Sequence, residues 1–339
     1  VKLSDFDFHV PEELVAQRPL DQRDASRMMV INRQSGRIEH RKFLDLPEFL
    51  TANDYLAFNK TKVVKARLVG QREGTGGKVE IFLLRRLSGT RFECLVKATA
   101  AQKTGLVVKF GDEMTATILG ETAINMIYET ELKAADGRID FWIERYGRVP
   151  LPPYIHRDAD GLDISRYQTV YAEEPGSVAA PTAGLHFTPE MLERLKAKGV
   201  QTRHVILHVG LGTFQPIKVE EINEHKMHRE DFMVSEEFLK ECANRKSEGK
   251  RLVAVGTTTV RALESAARGF TESTEIFLKP GEEFKYVDAL FTNFHQPKSS
   301  LVVMLAGFMG SMELWREAYS KAVEEKYRFF SYGDCMLVI

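Results

Sequence analysis

The sequence predicts an α/β main domain built from both chain ends, with a small all-β domain inserted at residues 66–150. Three observations predict it. Short β-rich runs with turn signals between them recur through that middle stretch. After residue 180, strand-like runs alternate with capped amphipathic helices, which is α/β texture. The charge also changes sign along the chain. Lys60 to Phe110 carries twelve basic residues against three acidic ones, a net of +9, and Gly111 to Ala180 carries six against thirteen, a net of −7.

The elements follow in order. Residues 1–65 mix helix and strand and belong with the C-terminal part, residues 151–339. Lys78–Leu84, Arg91–Val96, Leu106–Phe110, Thr115–Leu119, Ala123–Tyr128 and Ile139–Ile143 read as strands. Gly74–Gly77, Ser88-Gly89 and Gly111-Asp112 punctuate them, so the unit is a barrel or a sandwich. Arg148-Val-Pro-Leu-Pro-Pro-Tyr154 reads as an extended linker. Thr188 is a helix N-cap with Pro189 at the first helical position, Phe187 and Leu192 form a hydrophobic staple, and Gly199 is a stop. Ser235 opens a helix ending near Gly249, and Ser311 opens another with Leu314, Ala318 and Ala322 on one face. Thr202–Val209, Arg251–Val255 and Leu290–Phe294 are the alternating strands.

Composition sets the broad class. Of 339 residues, 43% are hydrophobic and 28% charged, with a net charge of −1, which excludes disordered, collagen-like and disulfide-scaffold proteins. Cys94, Cys242 and Cys335 are odd in number and far apart, which fits a reducing compartment. Apolar runs such as Leu301–Phe308 are too short to span a membrane. The expectation is a soluble, cytoplasmic protein with no membrane contact and no obligate protein partner.

Familiar catalytic signatures are missing. There is no P-loop and no Gly-x-Ser-x-Gly elbow, and Gly210-Leu-Gly212-Thr213 continues into Gln-Pro rather than a dinucleotide fingerprint. What remains is a set of segments in the second half. Pro181-Thr182-Ala-Gly-Leu-His186 sets a histidine just before a helix. His204 and His208 lie on one face of a strand, and Gly210 and Gly212 follow, where a ligand can approach the backbone. Strand, turn and helix run through Leu252–Ser265, with Thr257, Thr258, Arg261, Glu264 and Ser265 on one helix face. The three threonines, Thr257, Thr258 and Thr259, at that helix start suit an anion, and Arg261 suits a two-pronged clamp. His225, His228, Glu230 and His295 complete the set. Clustered histidines without cysteine support and without His-Glu-x-x-His fit acid–base work better than metal binding, so no metal is expected.

Taken in order, these segments resemble one family, the S-adenosylmethionine:tRNA ribosyltransferase-isomerases of queuosine biosynthesis. The resemblance runs through Arg23-Asp-Ala-Ser-Arg27, Asn59-Lys-Thr-Lys-Val63, Arg166-Tyr-Gln-Thr-Val-Tyr171 and Gly176–Thr188. It continues through His208–Pro216, His225–Glu230, Gly256–Glu264, Thr292-Asn293-Phe-His295 and Phe330–Met336. Lys60, Lys62 and Lys65 stand where the family usually has Asp, Arg and often Pro, and Ser300 stands for a usual Thr. The resemblance implies an α/β domain carrying a small β-barrel. It also implies a reaction: the ribosyl group of S-adenosylmethionine, a consumed co-substrate, is transferred and isomerised onto 7-aminomethyl-7-deazaguanine at the tRNA wobble position. Epoxyqueuosine forms, and adenine and methionine leave. Such chemistry needs a base, an acid and a carboxylate anchor. His186, His208, His228, His295, Glu230 and Glu264 supply the first two types. Arg261 and the Thr257–Thr259 helix start supply the third. Thr182, Gly210, Gly212, Thr213 and Asn293 join them as substrate contacts. Lys60, Lys62, Lys65, Arg67, Arg72, Lys78, Arg85 and Arg86 form the expected tRNA surface.

Overall fold

The computed structural model describes residues 1–99, 103–210 and 217–339. A nine-stranded sheet forms its centre, in the spatial order Ser273–Thr274, Glu230–Met233, Gln201–Leu207, Asp54–Asn59, Arg251–Val255, Ala289–Asn293, Cys335–Val338, Arg27–Ile31, Ile38–Lys42. The four strands from Gln201–Leu207 to Ala289–Asn293 are mutually parallel. Cys335–Val338 runs antiparallel to Ala289–Asn293 and parallel to Arg27–Ile31, so both chain ends share one sheet.

These central strands read as unbroken apolar runs because both faces are covered. Leu56, Phe58, Val253, Val255 and Phe291 face one core, with Met191 and Leu195 of the helix Pro189–Ala197. Tyr55, Ala57, Leu252, Ala254 and Leu290 face the other, under the helices Thr257–Ala266, Ser300–Met309 and Met312–Glu324. The predicted caps are in place: Thr188, Ser235 and Ser311 each accept a backbone N–H of their helix's first turn. Phe187 and Leu192 pack in one cluster.

The inserted unit is a barrel. Arg67–Arg72, Lys78–Ser88, Arg91–Lys97, Ile127–Ala134, Met114–Glu121 and Val107–Phe110 pair in that order, and the last closes on the first through Gln71 and Lys109. Alternate residues fill it, among them Val79, Ile81, Cys94, Val96, Ala116 and Ile118. Gly70 sits at the closing seam, where a Cβ would lie 2.5 Å from the Lys109 carbonyl oxygen. The chain leaves beside where it came in: Gly147–Arg148 pairs with Leu68 and Arg67.

Two expected strands differ. Ile139–Tyr146 is a helix, held at its start by Asp136, which accepts from the Arg138 N–H at 3.0 Å and the Trp142 indole N–H at 2.9 Å. Ala123–Met126 is a turn, and its strand begins at Ile127. No helix among the described residues is long and apolar enough to cross a membrane.

Candidate functional site

A cleft opens at the C-terminal ends of the parallel strands Arg251–Val255 and Ala289–Asn293, where open α/β sheets place ligands. Its walls are Ala179–Ala183, Gly256–Thr258 and Thr292–Gln296, closed by Tyr154, Val209, Phe330 and Ser331. Its empty space, open solvent included, is about 650 Å³, a size that suits a small-molecule site.

One wall is a helix start. Gly256 has φ +87°, a conformation open to glycine and strained for other residues. It turns the chain straight from strand into the helix Thr257–Ala266, which has no side-chain cap. The first N–H groups of that helix are therefore not met by a side chain at the N-cap. Asn59 fixes the neighbouring hydroxyl. Its amide N–H groups donate to Thr258 Oγ1 at 3.1 Å and the Leu207 carbonyl at 2.9 Å, while its Oδ1 accepts from the Leu207 N–H at 3.1 Å. Thr258 Oγ1 thus receives a hydrogen bond from behind and keeps its own proton to donate. Sequence reasoning did not select Asn59, although it opens one of the family-like segments. Tyr154 was also missed, inside the stretch read as a linker; its hydroxyl is 2.6 Å from Ser331 Oγ.

The opposite wall carries His295 and Asn293. His295 is buried, with Nε2 3.0 Å from Thr292 Oγ1. Burial pushes its pKa down to about 3, so the ring is neutral at pH 7. Asn293 donates to the Phe330 carbonyl at 3.1 Å and to His186 Nε2 at 3.3 Å, leaving Oδ1 buried without a partner among the described residues. His186 stands behind Asn293. With Nε2 accepting, its Nδ1–H donates to Ser26 Oγ at 2.8 Å. Burial holds its pKa near 3 as well.

The other expected residues divide into two groups. At the cleft border, next to Val209, the Gly210 N–H donates to Glu230 Oε1 at 2.9 Å, and Glu230 Oε2 pairs with Arg261. Arg261 is buried, and its Nε and Nη2 have no partner among the described residues. Its pKa falls to about 10 through burial, so it stays charged at neutral pH. His208 Nδ1 is 2.8 Å from Thr61 Oγ1, and its ring lies against Gly176. Thr182 lines the cleft. Gly212 and Thr213 lie outside the described residues.

The second group is not brought to the cleft. Thr259 turns its hydroxyl back to the Val255 carbonyl at 2.6 Å. Glu264 is fully buried and accepts from the N–H groups of Lys285, Tyr286 and Val287 and from Arg268. It is a loop clamp, not a substrate contact. His228 is exposed.

Much of the basic block is paired, largely with the acidic block that follows it. Lys60 meets Glu173 and Glu174, Lys65 meets Glu144, Arg67 meets Glu80 and Asp158, Arg85 meets Glu93, and Arg86 meets Asp140. Among the described residues, Lys62, Arg72 and Lys78 have no ion-pair partner. No group of three or more His, Cys, Asp or Glu among the described residues is placed to hold a metal ion.

Comparison with known proteins decides the family. The family described as "Queuosine biosynthesis protein" matches residues 3–338. The S-adenosylmethionine:tRNA ribosyltransferase-isomerase of Symbiobacterium thermophilum is 49% identical, covering 100% of both chains. That of Thermotoga petrophila is 46% identical with the same coverage. The chain belongs to the S-adenosylmethionine:tRNA ribosyltransferase-isomerase family of queuosine biosynthesis. A crystal structure of the Thermotoga maritima S-adenosylmethionine tRNA ribosyltransferase covers 99% of this chain and 100% of its own, at 35% identity and a TM-score of 0.55. Membership makes this chain a transferase enzyme, and the fold of an α/β domain with an inserted β-barrel accords with it.

Proposed function

We propose that the cleft binds S-adenosylmethionine and that the enzyme moves and isomerises its ribosyl group onto 7-aminomethyl-7-deazaguanine at the tRNA wobble position. Epoxyqueuosine is formed, and adenine and methionine are released. The observation that carries this reading is a convergence: a helix start without a side-chain cap, a neutral buried imidazole and an unpartnered buried amide oxygen meet in one cleft.

Each has a task. The N–H groups at Thr257 and Thr258 suit the methionine carboxylate. Asn293 Oδ1, which is costly to leave unpaired, accepts an N–H of the bound substrate. Among the described lining residues His295 is the imidazole, and we assign it the acid–base role. The sulfonium acidifies the C5′ protons. His295, neutral, is the group placed to take one; because burial disfavours its imidazolium, the ring holds the proton only in passing and hands it to the departing adenine. Glu230 and Arg261 hold Gly210 at the border. The amine that attacks must arrive deprotonated. No metal is given a part in this scheme.

RNA approaches over the barrel strands that carry Arg72 and Lys78 and over Lys62 on the short strand Thr61–Val63 that precedes the barrel, all three without an ion-pair partner among the described residues. The exposed ion pairs nearby are worth only ~0.2–1 kcal/mol each and can exchange a carboxylate for a phosphate. The cytoplasm, where tRNA and S-adenosylmethionine meet, is the expected compartment.

The test is a product assay with S-adenosylmethionine and a tRNA stem-loop carrying the modified base. Adenine and methionine should appear together, and only with that RNA. His295→Asn should lower turnover by ~10²–10⁴-fold with S-adenosylmethionine still bound. Near-wild-type turnover of the variant would remove His295 from the chemistry.

A further inference from the structure

The arginines of two family-like segments, Arg23 and Arg166, are absorbed by nothing above, yet the segments meet. Arg23 reaches Ser165, 142 residues away in sequence, at 2.5 Å. They line a second cavity with Ser26, His186 and Tyr332, whose empty space is about 280 Å³ with open solvent included. Ser331 belongs to both cavities, so the second lies just behind the Asn293–His186 wall of the cleft.

The charges in this cavity do not balance. Arg23 donates to the carbonyls of Leu185 and Ser165, and Arg166 to those of Asp21 and Leu20. Among the described residues neither makes an ion pair. Among the described residues the lining has no carboxylate; of the acids around it, Asp163 pairs with Arg157 and Tyr332, Asp160 with Arg18, Asp334 accepts the N–H groups of Arg27 and Arg328, and Asp21 is exposed at the rim. Arg328 lies outside the lining, near His186 and with Asp334 beside it, and its Nη2 donates to the Arg18 carbonyl. The Nε of Arg166 and the Nη1 of Arg328 are buried with no partner among the described residues. Burial first, and Arg166 second, lower the pKa of Arg23. The same field reaches His186, where Arg328 and Arg23 add to the effect of burial. Half-buried like charges with idle N–H groups are unfavourable unless an anion completes them.

We propose that this second cavity is an anion subsite, in which Arg23 and Arg166 hold a backbone phosphate of the RNA beside the reacting nucleotide. The inference rests on the reading of the chain as an RNA-modifying enzyme. Planar guanidinium forks match phosphate oxygens, and the rim at Asp21 and Gln22 is exposed, so a chain can reach in. Seated there, the phosphate fixes the register of the RNA against the cleft without reading a base.

The test measures binding of the unreacted stem-loop to wild-type protein, Arg166→Gln and Arg23→Gln across a salt series, beside the KM for S-adenosylmethionine. Each variant should weaken RNA binding about tenfold at 0.1 M salt. Each should also lower the slope of log K against log salt by ~0.7–0.9, with the KM for S-adenosylmethionine unchanged. A variant that loses its cooperative thermal transition is set aside, and the other carries the test. An unchanged slope in the folded variant overturns the subsite. So does a raised KM for S-adenosylmethionine with RNA binding intact, which would assign the anion to the methionine carboxylate. Wild-type protein that binds no RNA would instead overturn the functional reading itself.

Discussion

At the scale of single residues, the site depends on which polar atoms are satisfied. Glu264 and Asn293 look alike in sequence, each a polar residue in a family-like segment. The fold separates them. Glu264 takes three backbone N–H groups and Arg268, so it holds the 285–287 loop. Glu264→Ala should destabilise the protein by about 3 kcal/mol or more, since it leaves buried donors unmet. It should lower the melting temperature and leave turnover of the folded enzyme near wild type at low temperature. A large loss of turnover with unchanged melting would return Glu264 to the site. The two buried histidines govern acid stability. Burial holds the folded-state pKa values of His186 and His295 near 3, against about 6.5 for an ordinary imidazole. Below pH 6.5 the unfolded chain binds protons that the folded chain refuses, so stability is full above 6.5 and is lost as pH falls toward 3. Each histidine contributes a slope of ~1.4 kcal/mol per pH unit in that window. Urea midpoints at pH 7 and pH 5 should differ less in His186→Gln than in wild type.

At the scale of elements, local signals were legible and long-range ones were not. Thr188, Ser235 and Ser311 announced their helices because a cap is a contact between neighbours in sequence. Ile139–Tyr146 was misread because five residues of mixed apolar and charged type do not separate a period of 2 from one of 3.6. Asp136-Gly137 just before this helix is a turn signal, and the contact that holds the helix start, Asp136 with Trp142, is seen only in the folded chain. The resemblance implies Asn293 as a substrate contact, but the unpartnered oxygen that gives it a task could not be read. It depends on His186, 107 residues away. The helix start at Gly256 is the element-scale device of the cleft. Gly256→Ala should destabilise by ~1–3 kcal/mol, since φ +87° with ψ 154° is a glycine conformation. It should also raise the KM for S-adenosylmethionine by displacing Thr257 and Thr258. An unchanged KM in the folded variant would detach this helix from substrate binding.

At the scale of the whole molecule, the charge blocks change meaning. In sequence, +9 followed by −7 reads as an RNA-binding face beside an acidic one. In the structure much of the basic block is neutralised by acids that the fold brings alongside. The blocks are partly a device for fitting the barrel against its neighbours. Removing Lys62, Arg72 and Lys78 together should therefore lower the RNA salt slope by about 2–3. Arg85→Gln with Arg86→Gln should lower it by less, because Glu93 and Asp140 already balance them. Equal effects would show that these ion pairs open when RNA docks.

The central sheet also carries a timing problem. Arg27–Ile31 lies between Ile38–Lys42 and Cys335–Val338, and Cys335 is 308 residues beyond Arg27. At about 5–20 residues per second on the ribosome, that strand waits roughly 15–60 s for its partner. The barrel, complete once Arg148 has been made, closes long before. During synthesis the nascent chain therefore presents a finished barrel tethered to a half-built sheet with an open apolar edge. Such an edge is what chaperones shield, and it should make the yield of this protein depend on them more than its finished stability would suggest.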